Sequence, residues 1–115
     1  MDQIIIQDLE VFYRVGVPNA EREKPQRLSL TVTMDHDFQT AAAADAIEHT
    51  VDYQAVARRL LDFGKDRSWK LIETLAVQLA ETILAEFKPR RVTIEIKKFV
   101  LREARSVGVR VTRPA

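Results

Sequence analysis

The sequence predicts an α+β fold: a four-stranded antiparallel sheet with two helices packed on one face, in the order strand-strand-helix-helix-strand-strand. Three observations carry this. Strictly alternating apolar and polar residues mark two segments early in the chain and two late in it. Between them lie two stretches with apolar residues at three- and four-residue steps. The length of 115 residues suits one domain with a single core, spanning 1–115.

The first strand runs from about Ile4 to Val17. Leu9, Val11, Tyr13 and Val15 face one side and Asp8, Glu10 and Arg14 the other. Gly16 to Pro25 is a polar connection bounded by turn residues. In the second strand Leu28, Leu30, Val32 and Met34 alternate with Ser29, Thr31 and Thr33. Ala41 to Ala46 is an alanine-rich crossing segment, part of it helical. The first full helix covers about Tyr53 to Gly64, with Gly64 at its C-terminal cap. The second covers about Ser68 to Glu86, with Ser68 as N-cap and Ile72, Leu75, Ala76, Leu79, Ala80 and Ile83 on its apolar side. The third strand, about Arg91 to Lys98, turns Val92, Ile94 and Ile96 inward. The fourth, about Ser106 to Thr112, places Val107, Val109 and Val111 on one face. An open sheet leaves two edges unpaired and one face without helices. Joining copies edge to edge into a ring solves both problems; a monomer with charged edges is the other solution.

Composition narrows the chemistry. A net charge of +1 provides no bulk basic field for nucleic acid. The absence of cysteine removes disulfides, thiolate nucleophiles and cysteine metal sites. Two histidines, His36 and His49, are too few for a zinc hydrolase or deaminase centre. The glycines are isolated, so there is no phosphate-cradling loop, and no serine stands in a nucleophile-elbow context. No apolar run is long enough to span a membrane, and the N-terminus lacks the character of a signal peptide. A cytoplasmic protein is expected, with no metal and no cofactor. Its chemistry would run on carboxylates, lysine, tyrosine and water.

Three residues sit where packing alone would not put them. Lys98 continues the inward row Val92-Ile94-Ile96, whereas Lys97 shares the solvated face with Thr93 and Glu95. An amine at the end of an apolar row either snorkels to water or, partly desolvated, serves as an acid-base group. Glu73 interrupts the apolar start of the second helix. The helix dipole there favours a carboxylate by about 0.3–1 kcal/mol, which is reason enough for an acid. Its two oxygens also match a planar ligand with two parallel N–H donors, such as a pterin edge. Tyr53 opens the first helix, either as a half-buried aromatic or as a stacking plate with a proton-relaying hydroxyl. Glu21, among Arg22, Glu23 and Lys24, reads by itself as a solvated charge.

Together these segments resemble the dihydroneopterin aldolase family. The resemblance rests on Gly16-Val17 with Glu21-Arg22-Glu23 and Pro25-Gln26-Arg27-Leu28, on Thr50-Val51-Asp52-Tyr53, on Leu71-Ile72-Glu73, on Val92 to Lys98, and on Ser106-Val107-Gly108-Val109. It implies the tunnelling fold, assembled as tetrameric rings often stacked into octamers, with active sites between subunits. It further implies that Glu73 and the backbone at Ile72 hold a pterin. By the same likeness Tyr53 contacts it and helps move protons, Lys98 is the general acid-base, and Glu21 completes a pocket formed mainly by a neighbouring chain. The implied reaction is metal-independent retro-aldol cleavage of 7,8-dihydroneopterin. Two departures stand out: Phe99-Val100-Leu101 replaces the family's usual Pro-Gly-Ala after the lysine, and Pro18-Asn19-Ala20 replaces a stretch that commonly carries aromatics. Alternatives are a dihydroneopterin triphosphate 2′-epimerase and a non-catalytic pterin- or purine-binding module.

Overall fold

A computed structural model describes residues 1–115. Five strands form its sheet: β1 (Gln3–Val15), β2 (Gln26–Asp35), β3 (Ser68–Trp69), β4 (Arg91–Lys98) and β5 (Val107–Pro114). Their spatial order is β3-β1-β2-β4-β5. Three α-helices accompany them: α1 (Gln39–Ala44), α2 (Tyr53–Asp62) and α3 (Ile72–Phe87). The predicted α+β layout therefore gains one strand and one short helix. The alanine-rich segment closes into α1, a six-residue helix capped by a left-handed Asp45.

The fifth strand corrects the expected start of the second long helix. Ser68 is not an N-cap; Ser68 and Trp69 pair in parallel with Arg14 and Val15, and α3 begins only at Ile72. The cause is tertiary. The Trp69 indole is buried, stacked on Phe63 at 5.8 Å between centroids and tilted against Tyr13 at 5.5 Å. Its Nε1–H donates to Gln78 at 2.8 Å. Burying a tryptophan with its one donor satisfied outweighs the roughly 1 kcal/mol that a serine cap supplies.

Gly64 likewise has a different role from the cap assigned to it. Phe63 terminates α2, and the Gly64 backbone lies on the Tyr13 ring, where a Cβ would come within 2.4 Å of Cδ1. Asp52 caps the other end of α2, its carboxylate accepting from the Gln54 and Ala55 amides at 3.1 and 3.3 Å. That cap is why the helix opens at Tyr53.

Strand parity positions everything else. Leu28, Leu30, Val32 and Met34 of β2 are fully buried, as are Val92, Ile94 and Ile96 of β4. In β1 the inward row shifts from Ile4 and Ile6 to Leu9, Val11, Tyr13 and Val15 because a bulge falls between Ile6 and Leu9. Asp8 takes the left-handed conformation there (φ 54°), which aspartate tolerates better than most residues. Its amide donates to Thr31 Oγ1, and its carboxylate accepts from Ser29 and lies 3.5 Å from Lys97 Nζ. Lys97, expected to be merely solvated, thus ties β4 to the bulge on the helix-free face. Leu75, Ala76, Leu79, Ala80 and Ile83 of α3 close the core from the other side.

Candidate active site

The carboxyl end of β4 is where charge meets the core. Lys98 lies opposite Leu28, one step beyond fully buried Ile96, and its side chain is 14% exposed. Its Nζ sits 2.7 Å from Glu21 Oε2. Glu21 belongs to a 3-10 turn (Asn19–Glu23) between β1 and β2. The resemblance implies that Glu21 completes a pocket formed mainly by a neighbouring chain; within its own chain the carboxylate meets Lys98. Hydrogen bonds from Lys98 and then Gln26 hold the Glu21 carboxyl below its ordinary pKa, against a smaller opposing effect of burial.

The sign of that shift sets a pH dependence. A carboxylate with a depressed folded-state pKa adds stability above its unfolded value of about 4.3, and that contribution disappears as pH falls through the folded value. The gap in thermal midpoint between the native chain and Glu21→Gln should therefore be present at neutral pH and shrink below about pH 4. A gap independent of pH would show that the ion pair contributes nothing.

The Glu21 turn is built around Gly16. Gly16 adopts φ 151°, and a Cβ there would come within 2.3 Å of the Glu21 carboxyl carbon. Its amide donates to the Trp69 carbonyl at 3.0 Å, and its own carbonyl accepts from Arg22 at 2.6 Å. Trp69 in turn lies two residues before Leu71, the uncapped start of α3, so Glu73 opens that helix at the same end of the sheet. Leu71 has no side chain to cap the first-turn amides, leaving N–H groups free beside Glu73. Glu73 is solvent-exposed and Ile72 half-buried.

Tyr53 is elsewhere. It is 59% exposed and lines an apolar cavity of about 510 Å³ with Ile4, Phe38, Ile47 and Val51. Ile4 pairs with Met34, which faces Val92, six residues from Lys98 on β4. At about 3.3 Å per residue, that separates the Tyr53 and Lys98 ends of the sheet by roughly 20 Å. One chain joins Lys98 with Glu21, sets Glu73 nearby through the Trp69–Gly16 link, and leaves Tyr53 apart. Five cavities of about 250–650 Å³ are lined by residues other than Lys98, Glu21 and Glu73.

Two contributors escaped the sequence reading. They are Gly16, which makes room for the Glu21 carboxyl, and Gln26, which bonds to it. Gln26 carried the same signal as Lys98, a polar residue ending an inward apolar row, here Leu28-Leu30-Val32-Met34.

Comparison with known proteins identifies the family. The family described as FolB, dihydroneopterin aldolase, matches residues 4–112. A dihydroneopterin aldolase of Methylorubrum extorquens is 38% identical over 84% of this chain and 73% of its own. That of Haemophilus influenzae is 28% identical over 98% of this chain and 97% of its own. The crystal structure of Escherichia coli dihydroneopterin aldolase in complex with neopterin is 29% identical, covers 98% of this chain and 99% of its own, and superposes with a TM-score of 0.93. A family match running from the first strand to the last means that this chain belongs to the dihydroneopterin aldolase family.

Proposed function

We propose that the protein is a lyase that cleaves the C1′–C2′ bond of 7,8-dihydroneopterin, releasing 6-hydroxymethyl-7,8-dihydropterin and glycolaldehyde in folate biosynthesis. The observation that carries this reading is the Lys98–Glu21 pair, held at 2.7 Å at the end of an apolar row, in a member of this family. The substrate's own C6=N5 imine is the electron sink. Removing the 2′-hydroxyl proton lets the C1′–C2′ electrons move into that imine, giving glycolaldehyde and an enamine. Protonation at C1′ then yields the hydroxymethyl product. Lys98, acting through water, is the proton carrier in both directions. No Schiff base is needed, so the amine stays free. Glu73 grips the 2-amino and ring N–H edge of the pterin, and the free first-turn amide at Ile72 takes an acceptor on the same ring.

Tyr53 reaches this site from a second copy in the same reading, since its own Lys98 is a sheet length away. The surface supports assembly. Val17, Leu71, Phe99, Val100 and Leu101 are exposed near the lysine end, and Ile47 beside Tyr53 is exposed at the other. β3 covers β1 only at Arg14 and Val15, so the rest of that edge and the whole outer edge of β5 can pair with other chains. We therefore extend the proposal to tetrameric rings stacked as octamers, with sites between subunits, working in the cytoplasm. No helix is long and apolar enough to cross a membrane.

Incubation of the purified protein with dihydroneopterin, followed by detection of glycolaldehyde, tests the reading. Glycolaldehyde should appear with wild type, and Glu73→Gln should weaken neopterin binding by roughly 10–100-fold, the scale for losing charge-assisted hydrogen bonds. A second reading, the 2′-epimerase, draws on the altered loop after Lys98, where Phe99 lies under the Arg27 guanidinium at 4.0 Å. Release of the monapterin epimer without aldehyde would select it. Tight pterin binding with neither product would select the non-catalytic module.

A further inference from the structure

Gln26 is the least explained polar group near Lys98. It lies at an inward position of β2, where the four following members of its row, Leu28, Leu30, Val32 and Met34, are fully buried apolar residues. An amide in that place loses water and has to be matched by protein partners. Its Nε2 finds two: the Val15 carbonyl at 2.7 Å and Glu21 Oε2 at 3.0 Å. One amide nitrogen with two protons thus spans a fixed backbone oxygen of β1 and the same carboxylate oxygen that holds Lys98.

We propose that Gln26 is a positioning residue, which pins the Glu21 carboxylate so that the Lys98 amine is held where it exchanges protons with substrate. This inference rests on the aldolase reading above. The geometry argues for it from both sides of the carboxylate. A glutamate side chain has three rotatable bonds, and Glu21 is 29% exposed, so a single ion pair leaves it free to swing into water. Gln26 adds a second contact whose far end is immobile backbone. Gly16 leaves the space the carboxyl group occupies. Arg22, the nearest other cation on the turn, is occupied by the Gly16 and Val17 carbonyls and the Asn19 side chain, and so stiffens the loop without competing for Glu21. The groups bonded to the carboxylate are thus Lys98 from β4 and Gln26 from β2.

The bland alternative is that Gln26 merely fastens the start of β2 to the end of β1 through Val15. The two differ in what a variant changes. Gln26→Met keeps the volume and removes both donors; Gln26→Glu keeps the shape and places a like charge against Glu21. In folded protein, Gln26→Met should lower kcat roughly tenfold, the scale of one hydrogen bond to a charged group, with KM and neopterin affinity changed less than about twofold. Gln26→Glu should lower kcat further. Combined with Glu21→Gln, Gln26→Met should cost little beyond the single change, because both act through one carboxylate. Carbon-13 NMR of the Glu21 carboxyl should show its titration moved to higher pH in Gln26→Met.

Unchanged kcat in a folded variant, or full additivity with Glu21→Gln, overturns the inference while wild-type turnover leaves the aldolase reading standing. Absent wild-type turnover defeats that reading instead. The seat is then judged by the carboxyl titration alone, a raised value supporting it and an unmoved one overturning it. If Gln26→Met does not fold, the isosteric Gln26→Glu carries the same measurements.

Discussion

Lys98→Ala is expected to reduce turnover about 10²–10⁴-fold while neopterin affinity stays within about threefold, the signature of a lost proton carrier. The structure gives the reason for so lopsided an effect. The Lys98 side chain continues the core row, is 14% exposed, and places its amine 2.7 Å from Glu21. Truncation removes the proposed proton carrier but leaves the Glu73 helix end, on another element, untouched. Lys98→Arg sharpens the test. A guanidinium can keep the ion pair with Glu21, yet it stays protonated at any working pH and cannot pass a proton. It should therefore bind ligand and remain slow. Steady-state release of glycolaldehyde with parallel neopterin titrations reads both quantities, and near-native turnover in Lys98→Arg would end the proton-carrier role.

Tyr13→Ala should be the most damaging core change, costing about 3–5 kcal/mol, as large aromatic truncations do. That is a large part of the 5–15 kcal/mol that ordinarily holds a domain of this size together. Tyr13 is 1% exposed and touches the three features that shape the site's end of the molecule. Its ring packs against Trp69 of β3, supports Gly64 after α2, and its hydroxyl donates to the Leu60 carbonyl. Burial pushes its phenol well above the ordinary tyrosine value, opposed weakly by Arg59. Tyr13→Phe keeps the ring and removes one of two hydrogen bonds at the Leu60 carbonyl, which still accepts from the Phe63 amide at 3.2 Å, so about 0.5–1.5 kcal/mol is expected. Denaturant unfolding of the pair separates packing from hydrogen bonding. Equal losses in both variants would show that the ring contributes nothing beyond its hydroxyl. Tyr13→Phe should also retain turnover, because the Trp69–Gly16 link to the Glu21 turn survives.

These expectations differ in how early they could be made. Lys98 was legible because strand parity is a local rule: every second residue of β4 faces the core, and an ammonium at the last such position stands out. The same rule applied to β2 would have found Gln26, whose amide ends the inward row just as the lysine does. The resemblance of successive phrases to the aldolase family likewise needed no coordinates, and the family match over residues 4–112 bears it out. The α+β class followed from two periodicities that do not depend on partners.

What stayed hidden was everything that depends on two distant segments meeting. Ser68 looked like a helix cap because serine caps helices locally; parallel pairing with Arg14 and Val15 decided otherwise. Glu21 looked like one charge in a polar loop, since nothing in its neighbours reveals that Lys98, 77 positions later, closes on it. Gly16 is unremarkable until a backbone at φ 151° and a carboxyl group leave no room for a Cβ. The sequence alone therefore determined the alternation of faces, the element types and the family, because these follow from side-chain periodicity and ordered local phrases. Only the tertiary structure decided which charges pair and that Tyr53 and Lys98 sit at opposite ends of one sheet, because those facts come from strand register and chain crossing, which no short stretch of residues encodes.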